Sequence, residues 1–382
     1  MALLRAPTSP EQAGAVLTVD LAALCKNWHF LNSKIHQGCD CGAVVKADAY
    51  GLGVNYVAKA LLDTGCKTFY VAHLEEGIGL RKILGSTPRI IVMHGPVEKL
   101  EDEFFAHDLV PVLNTPQQVS SWRKFIQASG VLKETVIQVD TGMNRLGLSS
   151  SEFVDHMNNS EGFKGLAPLA LMTHLACAGI PEHPLNQIQL EKFVVALRLF
   201  RTRFPEAKGS LANSSGIFLG EEWQFDLARP GAALYGIGPQ NNSVNPMLPV
   251  VSLQAEILQI RHVDTAGTVG YGATFQAADG DRLATVSIGY ADGFHRTLSN
   301  AGSARLDGMT VQVAGVVSMD LLTFDVSGVP ESLAVPGAMI DIISTTHTVD
   351  DMAREAGTIG YEILTGLGQR FARQYLPLRC PD

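Results

Sequence analysis

Over its first 240 residues the chain alternates, again and again, between short β-branched runs and longer amphipathic stretches. The strand-like runs are CGAVVKA (41–47), TFYVAH (68–73), RIIVMHG (89–95), LVPVLN (109–114), TVIQVD (135–140), LAPLALMTHL (166–175), SLANSS (210–215) and LARPGAALYG (227–236). Helices are predicted between them, among others over 54–64, 74–85, 97–107, 115–129 and 187–204. In the last of these, Leu190, Phe193, Val194, Leu197 and Phe200 recur at three- and four-residue steps, which places them on one helical face. Thr115-Pro116 supplies an N-cap and a first-turn proline. Strands regularly alternating with helices build a parallel sheet, and eight is the number that closes one into a (β/α)8 TIM barrel. The segment 1–40 is read as an extension of that barrel, holding the strand AVLTVD and a helix.

The pattern changes near Pro239. PQNNSVNPMLPV reads as a linker, and shorter alternating runs follow it: VSLQAEILQI, RLATVSIGY, MTVQVAGVVSMD, LTFDV and AMIDII. The expected organisation is therefore a barrel with its N-terminal extension over 1–240 and a mainly β domain over 241–382. The second domain would carry a helical turn near 348–356 and a C-terminal helix near 360–374. The formal net charge of −9, from 29 Lys and Arg against 38 Asp and Glu, argues against a non-specific nucleic-acid binder. No stretch reaches the roughly 18 apolar residues of a membrane span, and the N-terminus lacks the apolar segment of a secretory signal. Six dispersed cysteines read as reduced thiols of a cytoplasmic protein, with no metal site.

In a TIM barrel, chemistry sits at the C-terminal ends of the strands. The polar residues there are Lys46, His73, His94, Asn114, Asp140, His174, Asn213 with Ser214, and Arg229. For Asn114 a helix cap is the preferred reading. Lys46 follows the apolar run AVV, so its ammonium must snorkel, pair or lose its charge. The alternative to snorkelling is a lysine of lowered pKa suited to forming a Schiff base.

The segment VVKADAYGLG resembles the pyridoxal-phosphate lysine motif of alanine racemases. DTGMNRLG (140–147), MTHLA (172–176), NSSG (213–216), ARPGAALYG (228–236), GYGATF (270–275), IGYADGF (288–294) and VSMD (317–320) fall in that family's order and at similar intervals. With a tyrosine segment near 361 the resemblance spans about 46 to 370, nearly the whole chain. It implies a racemase that interconverts L- and D-alanine with pyridoxal 5'-phosphate held on Lys46. Tyr50, about one helical turn on, Ser214, Gly231, Ala232 and Tyr361 would serve the cofactor phosphate. Arg229 would face the pyridine nitrogen, with His174 in the same polar cluster. Because a guanidinium cannot accept a proton, that nitrogen would stay largely unprotonated, which favours quick reprotonation of the substrate over transamination.

The resemblance also implies two bases, one per face of the substrate: Lys46 for the D-enantiomer and Tyr271 for the L-enantiomer. Tyr271 would come from the partner subunit of a homodimer. Arg145 and the backbone N–H of Met319 would meet the substrate carboxylate, and Tyr290 would narrow the way in. In bacteria the product supplies peptidoglycan precursors. Three departures bear on substrate preference. Gln138 stands where many members have a lysine that is carbamylated, and it can hydrogen-bond Arg145 without a charge. Leu52 replaces a histidine, and Ser318 a cysteine. A broad-specificity or serine racemase is the nearest rival, since one added hydroxyl is a small difference for a pocket to reject. A decarboxylase of the same architecture would need a cysteine in the second domain, where the chain has only Cys380. A cofactor carrier would lack that domain altogether.

Overall fold

A computed structural model describes residues 13–241 and 243–377 and divides the chain into two compact units. One unit comprises Leu24–Leu234 with Gly238–Met247; the other takes the segment up to Ala23, Tyr235–Ile237, and the chain from Leu248 onward. Strand β1 (Ala15–Asp20) and the first residues of helix α1 (Leu21–Lys34) therefore lie in the second unit. The N-terminal strand is not a barrel extension: it pairs antiparallel with a strand of the β domain and parallel with the last strand of the chain. Cys380 lies outside the described residues.

The first unit is the expected barrel. Strands β2 (Asp40–Cys41) and β3 (Ala43–Val44) form one run, followed by β4 (Thr68–Val71), β5 (Arg89–Val92), β6 (Val110–Leu113), β7 (Glu134–Gln138), β8 (Ala167–Met172), β9 (Lys208–Ser210) and β10 (Leu227–Ala228). The strands from β3 to β9 pair in chain order, each neighbour parallel. β10 closes the ring. It pairs parallel with β2, and the run continues as the Gly42 N–H donates to Ala228 O at 3.0 Å and the Val44 N–H to Pro230 O at 2.9 Å. On its other side the Arg229 N–H donates to Ala212 O at 2.9 Å. β4 and β6 are buried at every position, as expected of parallel strands covered on both faces.

Local chemistry explains the helices between the strands. Helix α2 spans Val54–Thr64 and α3 Leu74–Leu84. The next, α4, covers only Glu101–Ala106, shorter than the predicted 97–107. Helix α5 (Pro116–Ser129) starts where expected, with the Thr115 hydroxyl accepting the Gln118 N–H at 3.1 Å. Asn114 is not a cap. Its Nδ2 donates to Met93 O and Val112 O, stitching the ends of two barrel strands. Helix α6 is Ser150–Asn158 and α7 is Pro184–Arg203. Of the five residues predicted on one face of α7, Leu190, Phe193, Leu197 and Phe200 are buried; Val194, at the margin of that stripe, turns outward.

The second unit is built on an eight-stranded, mainly antiparallel sheet. After β1 come β11 (Val251–His262), β12 (Gly267–Val269), β13 (Phe275–Ala277), β14 (Arg282–Val286), β15 (Ser303–Leu306), β16 (Met309–Val313), β17 (Leu322–Asp325), β18 (Met339–Ile343) and β19 (Ala372–Leu376). The order across the sheet is β14-β17-β16-β15-β18-β11-β1-β19, and β14 also pairs with β11. β12 and β13 form a separate hairpin. Helix α8 (Val349–Ala356) matches the predicted turn. Helix α9 (Gly360–Gly366) stops well short of 374, because Gly366 and Gly368 break it and the chain then extends into β19.

Candidate active site

The first barrel strand does not continue to residue 47. It ends at Val44, and the chain turns with the wrong hand for L-residues. Ala47, Asp48, Ala49 and Tyr50 have φ of 52, 54, 55 and 57°, a full turn of left-handed helix without a glycine. Such a turn costs roughly 1–2 kcal/mol per residue, so its surroundings must over-determine it. The Gly51 N–H closes on Ala47 O at 2.7 Å, the Gly53 N–H on Asp48 O at 2.9 Å, and the Val54 N–H on the Asp48 carboxylate at 2.7 Å. Tyr50 does follow Lys46 by one helical turn, but a left-handed one.

That turn brings Tyr50 to the loop after β10. A Cβ added at Gly231 would collide with the Tyr50 hydroxyl, so glycine is what lets the two segments meet. Ser214 completes the group. Its buried Oγ accepts the N–H of Gly231 at 2.9 Å and of Ala233 at 3.2 Å, which leaves the hydroxyl proton to donate elsewhere. The Gly231 N–H, read from the sequence as a phosphate donor, is directed at the Ser214 hydroxyl here. The N–H groups of Ala232 and Ser214 have no partner among the described residues. Two hydroxyls and two open N–H donors brought together beside Gly231 suit a phosphate dianion.

Arg229 lies beside this cradle and is buried, with no carboxylate partner. Its guanidinium donates to the Ser210 hydroxyl, to Thr173 O at 2.7 Å and to Leu211 O at 3.4 Å. Burial pushes its pKa down to about 10, still far above neutrality. Burial, then the charges of Arg229, Arg145 and Lys46, push His174 down to about 3, so its ring is neutral at working pH. Lys46 is half-buried at the end of the first barrel strand. Burial first, and then Arg145, hold its amine below the ordinary lysine value, with Glu76 acting the other way. The direction of this shift agrees with the second sequence reading of Lys46, a lysine of lowered pKa.

Arg145 is exposed on a loop that is itself tightly organised. The Asp140 carboxylate accepts the N–H groups of Gly142, Met143 and Asn144 at 2.8, 2.9 and 2.8 Å. Gln138 does not bond Arg145 as expected; its Nε2 donates to Leu146 O at 3.0 Å, fixing the loop next to the arginine. Behind the loop, the buried Gln189 donates to His174 O at 2.9 Å and to the Thr141 hydroxyl at 3.2 Å, and accepts the Ala176 N–H at 2.9 Å. Gln189 escaped the sequence reading because a glutamine on a helix gives no signal of where it points. Asp140, already singled out at a strand end in the sequence, acts as a turn-forming aspartate before Thr-Gly.

The remaining candidates belong to the β unit. Tyr271 sits at the tip of the β12–β13 hairpin, 73% exposed, between Gly270 and Gly272. Tyr290 and Met319 lie on two loops joined by backbone bonds: the Tyr290 N–H to Ser318 O and the Ala291 N–H to Met319 O, both at 3.0 Å. The Met319 N–H has no partner among the described residues. Arg370, which sequence reasoning missed, clamps the same loops. It binds Asp292 through two nitrogens at 2.6 and 2.8 Å and Asp320 through a third at 2.6 Å. Tyr361 is the second residue of α9.

Comparison with known proteins accounts for both units. Residues 19–239 match the alanine racemase N-terminal domain and residues 250–375 the alanine racemase C-terminal domain. The chain belongs to the alanine racemase family. A Rhodospirillum rubrum alanine racemase is 49% identical over 96% of this chain and 96% of its own length. A catabolic alanine racemase of Mesorhizobium japonicum is 44% identical over 97% of this chain and 95% of its own. Among solved structures, the Bartonella henselae alanine racemase with covalently bound pyridoxal phosphate superposes with a TM-score of 0.90 at 36% identity, covering 95% of this chain and 99% of that one. The biosynthetic alanine racemase of Pseudomonas aeruginosa gives 0.86 at 33% identity, with the same coverage. The chain is a pyridoxal-phosphate-dependent enzyme that racemises alanine. No helix among its described residues is long and apolar enough to cross a membrane.

Proposed function

We propose that alanine is racemised here by two bases, Lys46 and Tyr271, on opposite faces of the substrate, and that the two come from different subunits of a homodimer. The observation that carries this reading is Lys46: an amine at a barrel-strand end, held low by burial and by Arg145. When bound, pyridoxal phosphate withdraws electrons from the substrate's α-carbon and so acidifies its α-proton. The Nζ of Lys46 takes that proton from the D-enantiomer or returns it, and the Tyr271 Oη does the same for the L-enantiomer. Tyr50, Ser214, the Ala232 N–H and Tyr361 hold the phosphate. Arg229 would lie toward the pyridine nitrogen, and it has no proton-accepting atom to offer it. Neutral His174 lies close enough to Arg229 to feel its charge. Arg145 and the Met319 N–H hold the substrate carboxylate, and Tyr290 narrows the way in.

The exposure of Tyr271 supports donation to a partner copy, since a phenol at a hairpin tip is free to be buried there. Among the described residues Cys25, Cys39, Cys41, Cys66 and Cys177 form no disulfide, which suits a reducing cytoplasm where D-alanine would feed peptidoglycan precursors. The test is Tyr271→Phe with each enantiomer of alanine in deuterated water. It should keep its cofactor and lose roughly 10²–10⁴-fold of racemisation in both directions, the usual contribution of a positioned acid or base. Full activity in that variant removes Tyr271 from the reaction.

A further inference from the structure

We propose that Glu76 is a positioning residue for Lys46, holding the lysine's backbone in place by tying Ala47 to the end of the neighbouring barrel strand. The inference rests on the reading of Lys46 as the residue that carries the cofactor. Glu76 is the third residue of α3, the position from which a glutamate ordinarily reaches back to the N-cap. It does that and more. Its Oε2 accepts the Ala72 N–H at 2.7 Å and the His73 N–H at 3.0 Å, which uses up one oxygen on the strand end. Its Oε1 crosses 29 positions of sequence to accept the Ala47 N–H at 2.6 Å. A helix cap has no need of that second bond.

Ala47 is the residue after Lys46 and the first of the left-handed turn. The bonds from Gly51, Gly53 and Val54 close that turn on itself without tying it to the barrel. On the other side of Lys46, the Val45 N–H donates to Tyr70 O at 2.9 Å. Lys46 is thus pinned before and after, on both sides to the segment that begins with β4. The anchor itself cannot recede. A Cβ added at Gly77, next to Glu76, would lie 3.0 Å from Val92 and 3.1 Å from Leu109, so α3 starts hard against the neighbouring barrel segments. The carboxylate also acts through its charge, raising the Lys46 amine against the lowering by burial and Arg145.

Glu76→Gln separates this role from simple capping, because the amide sets an N–H₂ against either Ala47 or the strand end. The experiment follows capture of pyridoxal phosphate by the apoprotein, fixed with borohydride and mapped to its peptide across a pH series. Thermal melting is recorded alongside, with Glu75→Gln as the control on the same turn. The expected result is a plateau capture rate at Lys46 that is roughly ten- to hundredfold lower in Glu76→Gln, with its pH midpoint moved down, and no change in Glu75→Gln. A lower melting temperature with unchanged plateau and midpoint makes Glu76 a helix cap only and overturns the inference. Failure of the wild-type protein to fix the cofactor at Lys46 overturns the reading beneath it as well. Should Glu76→Gln not fold, amide exchange in the wild-type protein decides: slow exchange at Ala47, lost together with that at His73, is expected, and free exchange at Ala47 in the folded protein overturns the proposal.

Discussion

The turn that carries Lys46 and the hairpin that carries Tyr271 are built on opposite principles. The first is a strained backbone at the end of a barrel strand, tied by backbone and carboxylate bonds at nearly every residue. The second is a short hairpin whose tip leaves its tyrosine 73% exposed. An amine must be held still if it is to bear a cofactor and also handle a proton, and its environment must lower its pKa. On the two-base proposal, a phenol that acts on another copy must instead remain accessible until the copies meet.

The sharpest way to break this contrast is to divide the two residues between chains. Neither Lys46→Ala nor Tyr271→Phe should racemise alone. Mixed and allowed to exchange subunits, they should recover about a quarter of wild-type activity, because half the dimers are mixed and each of these has one intact site. No recovery means that each chain supplies its own tyrosine. Next in size is Gly231→Ala. The added methyl meets the Tyr50 hydroxyl, and overpacking of roughly 1–3 kcal/mol should weaken pyridoxal phosphate binding about five- to hundredfold by equilibrium dialysis.

On the β unit, Arg370→Gln releases the clamp on Asp292 and Asp320. It should raise the KM for alanine roughly two- to tenfold with a smaller effect on kcat, read from initial rates in both directions. The smallest effect concerns stability. His174 is neutral in the folded protein down to about pH 3, whereas the unfolded chain takes up that proton near 6.5. The unfolded state therefore binds more protons between those values, and stability falls as the pH drops through that window. His174→Asn should flatten the dependence of the melting temperature on pH there, and an unchanged slope would show that other groups set it.

The eight barrel strands were legible because β-branched runs buried on both faces look alike wherever they occur. The left-handed turn was not, for Ala-Asp-Ala-Tyr contains no glycine, and of its residues only Asp48 is of a type that visits positive φ; only the resemblance pointed to Tyr50. The N-terminal strand was misplaced although its pattern differed. Ala15, Leu17 and Val19 are buried while Val16, Thr18 and Asp20 are half-exposed, the alternation of a sheet covered on one face, unlike the continuous burial of β4 and β6. The Gly231 N–H went to Ser214 rather than staying open, a choice between neighbouring acceptors that no spacing encodes.

β1 lies between β11 and β19, so a strand made before the barrel has no complete berth until two strands made after the barrel are available. The barrel's strands are all translated in between, and it can close while β1 waits. Synthesis thus allows an order of assembly in which the barrel's part of the cofactor cradle is ready before the unit that bears Tyr271 is finished. Removing β1 or β19 should injure that later unit and spare the earlier one.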